Sequence, residues 1–70
     1  MSFMKGTSKR CWIVDSVSHF VVERNGPIFN LQLRPTERNG YTSVKEARHV
    51  LYNARRALNA PYLTIMKVGP

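Results

Sequence analysis

Residues Ser43 to Asn59 read as one amphipathic helix, and a single helix in 70 residues leaves few folds open. Its inner stripe of Val44, Ala47, Val50, Leu51, Ala54, Ala57 and Leu58 follows the 3.6-residue period. Ser43 and Glu46 form an S-x-x-E capping box. The serine oxygen accepts from an orphan N–H, and the glutamate reaches back to the serine N–H. Arg55 and Arg56 suit the negative helix end. Asn59 fits a left-handed cap, and Pro61 blocks continuation. Such a helix must bury its stripe against something, and three alanines in the stripe predict a close approach to a sheet.

The rest of the chain supplies strands. Cys11 to Val17 is apolar and β-branched at its start, with a turn over Ser16 to Ser18. His19 to Glu23 suits a second strand. Asn25-Gly26 suits a tight hairpin with positive φ at both central positions, and Pro27 then opens the next strand or sits on an edge. From Ile28 to Arg34, Phe29, Leu31 and Leu33 alternate with Asn30, Gln32 and Arg34. Period two assigns the first set to the core and the second to solvent. Pro35 to Gly40 reads as a polar loop. Glu-Arg-Asn-Gly occurs at 23–26 and again at 37–40, as turn chemistry used twice rather than an internal repeat. Tyr62 to Val68 is the last strand. The expected fold is α+β: a small three- or four-stranded, mostly antiparallel sheet, with helix 43–59 on one face and the order β-β-β-α-β. The other face would be exposed. Residues 1–8 read as a flexible basic N-terminal arm and 9–70 as one compact domain. Trp12, the single tryptophan, reads as core, with an exposed partner contact as the alternative.

A chain of this size buries a thin core and has little room for a deep substrate pocket. One cysteine allows no intrachain disulfide. With no apolar leader and no run long enough to span a bilayer, the expected location is the cytoplasm, the host's if the chain is phage-encoded. No membrane partner and no small-molecule substrate are expected.

Catalytic and metal chemistry find little support. The four acids, Asp15, Glu23, Glu37 and Glu46, are scattered, and no pair has a reason to share a site. Cys11, Asp15 and His19 could approach one another if the first two strands pair, but Cys11 is more simply a buried small hydrophobe. One cysteine and two distant histidines do not make a metal site, and no glycine-rich phosphate loop is present. No cofactor is expected, and the chain does not read as an enzyme.

Charge is the positive signal. There are 11 Lys and Arg against 4 Asp and Glu, a formal net charge of +7. Lys45, His49, Tyr52 and Arg56 recur at i, i+4, i+7 and i+11 on the outer helix face, and Arg48, Tyr52 and Arg55 at i, i+4 and i+7. Cations around an aromatic ring suit a phosphate backbone with unpaired bases. The plainer reading is a solvated face of good helix formers, but only Glu46 is acidic on this helix, whereas solvated helices usually alternate signs. The expected function is a non-enzymatic basic module that engages DNA, RNA or a nucleic-acid-handling protein complex. Arg34, Arg38 and the N-terminal arm are second candidates. The alternative is a small phage-type inhibitor or adaptor that docks on an acidic patch of a host protein without binding nucleic acid.

Two resemblances accompany this reading. Residues 28–58 resemble the arm-type DNA-binding module of tyrosine-type integrases, through Gly40-Tyr41-Thr42-Ser43-Val44-Lys45-Glu46-Ala47. That module inserts its sheet into the major groove, so the resemblance implies base-facing roles for Asn30, Gln32 and Arg34. A strand after the helix departs from it. The layout is also similar to small phage inhibitors of host RNA polymerase, through Trp12 and Val14, Val44 to Ala47, and Tyr62 to Val68. The basic charge departs from that family.

Overall fold

A strand that is apolar on both faces belongs in the middle of a sheet, and Cys11–Asp15 (β1) is that strand. A computed structural model of the chain describes residues 9–68. The expected basic arm, 1–8, and the terminal Gly69-Pro70 lie outside the described residues. β1 is followed by Val21–Asn25 (β2), Ile28–Gln32 (β3), the helix Val44–Ala57 (α1) and Leu63–Lys67 (β4). The strands form one antiparallel sheet in the order β3-β2-β1-β4. The fold is α+β with the helix between the third and fourth strands. No helix among the described residues is long and apolar enough to cross a membrane.

Chain continuity determines which half of the sheet α1 covers. The helix ends in a Schellman motif: Asn59 has φ +51°, its N–H donates to the Arg56 carbonyl, and the Ala60 N–H donates to the Arg55 carbonyl. The chain therefore reverses at once into β4, which pairs with β1 from Asp15↔Leu63 to Cys11↔Lys67. α1 consequently lies over β1 and β4. Cys11, Ile13, Val22 and Leu63 meet Ala47, Val50, Leu51 and Ala54 in the core, with Phe29, Val44, Leu58 and Ile65 packed at its margin. Ala57, expected in the stripe, is exposed. At the helix start, Ser43 Oγ accepts from the Glu46 N–H at 3.1 Å. The Glu46 carboxylate accepts from Thr42 Oγ1 at 3.2 Å rather than from the Ser43 N–H expected of the capping box.

The helix sits over β1 and β4 and leaves most of β3 uncovered, so one expectation is corrected. Phe29 is half-buried, but Leu31 is 46% and Leu33 72% exposed. The alternation names the right faces of β3; it does not say whether anything covers them. The strand also stops at Gln32, two residues before the expected Arg34. Its last partner is Val21, because β2 begins there rather than at His19. The hairpin differs as well. Asn25 pairs with Ile28, and the two turn residues are Gly26, at φ +65°, and Pro27. Glycine at the first corner and proline's fixed φ at the second describe a type II′ turn.

The opposite face, expected to be open, is partly covered. Alternation along β1 puts Trp12 there, where its residue exposure is 0%. Its Nε1–H donates to the Thr36 carbonyl at 2.9 Å. The lid is the loop after β3, fastened by buried Asn39, whose Oδ1 accepts from the Thr36 N–H at 2.7 Å and whose Nδ2 donates to the Arg34 carbonyl at 3.2 Å. A Cβ at Gly40 would lie 2.7 Å from the indole Cε2 and Nε1, so glycine is required for close approach. The loop ends by bridging β1: Tyr41 exchanges backbone hydrogen bonds with Cys11, on the side away from β4. β1 and β2, paired at Val14↔Val21, have Tyr41 beside them at the other end. Burial pushes the Tyr41 phenol above its usual pKa; Arg24 pulls it back and Glu46 adds to the rise.

The β1–β2 turn is built on Asp15. Its Oδ1 accepts from the Val17 and Ser18 N–H groups at 2.8 and 3.1 Å, and His19 takes φ +68°. The Ser18 N–H holds the carboxyl below its usual pKa. Burial opposes that, and the Val17 N–H, the Ser18 hydroxyl and His19 reinforce it. A depressed folded-state value stabilises the fold above the unfolded carboxylate pKa and is lost as pH falls through the folded one. The melting temperature should therefore drop as pH is lowered below about 4, and less steeply in Asp15→Asn. Parallel melting curves for the two proteins would remove this turn from the acid response.

Candidate nucleic-acid interface

Because α1 buries the arc through Val50, Ala54, Ala47 and Leu51, its outward arc is fixed by the same geometry. Lys45, Arg48, His49, Tyr52 and Arg56 fall within about 100° of one another around the helix axis. All five are exposed, Tyr52 to 65%. Among the described residues none of the five is held by a hydrogen bond or ion pair. The ridge from Lys45 to Arg56 is about 16 Å long at 1.5 Å per residue. No acid stands on it: Glu46 lies on the flank, engaged with Thr42.

Arg55 is different. Its Nε and Nη2 donate to the Leu63 carbonyl at 3.2 and 2.9 Å. It fastens the helix to the first residue of β4 and is not a free cation. The second group stands apart from the ridge. Asn30 and Gln32 lie on the sheet face opposite α1. Gln32, Arg34 and Arg38 line a shallow groove there with Glu23, Leu33, Thr36 and Asn39. Arg38 Nη2 is 3.6 Å from Glu23 Oε2, an exposed guanidinium against a carboxylate largely covered, and such a pair contributes little. The sequence candidates thus divide between two sides of the molecule.

Sequence reasoning missed Arg24. It is on the α1 side of β2, across a cleft from Lys45, Glu46 and His49. Its place after Val22 in the β2 alternation was the available signal. The suggested Cys11–His19 pairing does not form. Cys11 is buried at one end of β1, and His19 lies beyond the other, about 13 Å of strand away. No group of three or more His, Cys, Asp or Glu among the described residues could hold a metal ion.

No protein-family model, curated protein or solved structure matches this chain. What the ridge can do chemically therefore follows from its own side chains. It offers unpaired guanidinium and ammonium donors at helical intervals, with a phenol ring standing among them. It offers no nucleophile and base in contact.

Proposed function

We infer that the protein is a non-enzymatic binding module that engages nucleic acid through the outer ridge of α1. The observation that carries this reading is the acid-free row of Lys45, Arg48, His49 and Arg56 around an exposed Tyr52. Unpaired cations neutralise phosphates and release counterions. An exposed phenol among them gives an unpaired base a plate to stack on. A cation row without the aromatic would serve any polyanion; the aromatic favours one that carries bases.

The test is fluorescence anisotropy with labelled single-stranded and duplex oligonucleotides, starting at low salt. Affinity should fall log-linearly with salt, with a slope near the number of phosphates contacted. Lys45→Glu, Arg48→Glu and Arg56→Glu together should abolish binding while leaving the circular-dichroism spectrum intact, since none of the three holds the fold. Tyr52→Ala should cost roughly 1–3 kcal/mol on single strands. Arg55 is left alone because its loss would loosen the helix from β4. An absence of binding to every oligonucleotide at low salt would overturn the proposal and leave an acidic protein surface as the partner to pursue.

A further inference from the structure

The two edges of the sheet are treated differently. On β4 the Val68 N–H donates to the Arg10 carbonyl, so by alternation Leu63, Ile65 and Lys67 turn their backbone groups outward. That edge is guarded: Arg55 occupies the Leu63 carbonyl, and Lys67 puts a charge on it. β3 has no such protection among the described residues. The closing pair of the hairpin, Asn25↔Ile28, is hydrogen-bonded, so Asn30 and Gln32 also bond inward to β2. Phe29 and Leu31 turn their N–H and C=O groups outward, and among the described residues no backbone hydrogen bond outside the hairpin ladder takes them up. Leu31 and Ile28 are exposed beside them. β3 is also the one strand of the four without a charged residue, in a chain with a net charge of +7.

We propose that β3 is a homodimer edge: two copies join antiparallel through β3 about a two-fold axis at Asn30, forming a continuous eight-stranded sheet. The strand complements itself in this register. Phe29 stands opposite Leu31 of the second copy, and Leu31 opposite its Phe29. The two outward residues of each strand thereby exchange all their free backbone hydrogen bonds. Both aromatic–aliphatic pairs lie on the α1 side of the sheet, where such cross-strand pairs stabilise. On the other side Ile28 faces Gln32 and Asn30 faces itself. A charged foreign strand would bring its charge onto an uncharged, half-apolar edge; a second β3 brings none, so the repulsion a +7 chain would otherwise feel is weakest along this line. The axis is perpendicular to the sheet, so both α1 helices project from the same side. At ~4.8 Å per strand in a flat sheet they stand about 29 Å apart. Two ridges held together would bind one long polyanion with higher avidity than either alone. Assembly itself needs no ligand, so it is read separately from nucleic-acid binding.

Sedimentation velocity over a dilution series, without nucleic acid, should show a monomer–dimer equilibrium. Leu31→Lys should move it to monomer while the helical circular-dichroism signal is retained. The register is tested by crosslinking. Facing Asn30 residues form a non-hydrogen-bonded pair with Cα atoms about 4.5 Å apart, inside the disulfide range. Asn30→Cys should therefore give a covalent dimer on mild oxidation, since buried Cys11 does not compete. Ile28→Cys, whose two copies would be about 13 Å apart along the strands, should not. A monomer at every concentration, a dimer unaffected by Leu31→Lys, or a dimer that crosslinks as readily through Ile28→Cys as through Asn30→Cys would each overturn the proposal.

Discussion

Trp12→Ala is expected to cost about 3–5 kcal/mol, which would leave the chain largely unfolded at physiological temperature. Domains are stable by only about 0.05–0.15 kcal/mol per residue, so the loss rivals the whole margin of a 70-residue chain. The indole is fully buried on the face that α1 does not cover, where Val21 is the other fully buried side chain. Removing it opens a cavity and leaves the Thr36 carbonyl without its donor. Trp12→Phe should fall between, keeping most of the volume but losing that hydrogen bond, at about 1–3 kcal/mol for the orphaned acceptor. Gly40→Ala should destabilise from the other side of the contact, by about 1–3 kcal/mol, because its Cβ would press into the indole. Urea denaturation followed by circular dichroism measures all three. A Trp12→Ala midpoint equal to that of the native chain would mean the loop does not seal this face.

Leu51→Ala should cost about 2–5 kcal/mol, because Leu51 is 7% exposed and central to the helix–sheet contact. Leu31→Ala should cost less than about 1.5 kcal/mol in dilute protein, since nearly half of that side chain is already in water. The pair is a direct comparison of two leucines that hydrophobic patterning alone treats alike. Equal losses in thermal melts would place α1 over β3 and contradict its position over β1 and β4.

That contrast also marks how far the sequence can be read. The helix stripe apart from Ala57, its Ser43 start, its Asn59 stop and the two faces of β3 all follow from period and local chemistry, and the structure has them. Which strands lie under the helix does not follow, because it depends on the non-local pairing of β4 with β1. Local pattern cannot separate a sheet ordered 3-2-1-4 from its alternatives. The second buried face was missed for a related reason. Cys11-Trp12-Ile13-Val14 is apolar at consecutive positions, which is the mark of a strand covered on both sides, but the cover is made of polar residues, Thr36 and Asn39, that resemble ordinary loop. At the candidate interface the outward cations and Tyr52 were legible from helical spacing. Arg55 was not distinguishable from Arg56 by sequence, since its engagement depends on where the Leu63 carbonyl lies. Arg24 was hidden because its relation to Lys45 and His49 exists only in three dimensions.

The lone indole sits beneath the loop and on the far side of the sheet from α1, which makes the chain its own spectroscopic reporter of one half of its interior. Tryptophan emission should follow the seating of residues 33–42, while the far-ultraviolet signal follows the helix. If the loop lifts before the sheet and helix come apart, the emission maximum will shift red at a denaturant concentration where helicity is unchanged. Coincident transitions would mean that both halves of the core melt as a single cooperative unit.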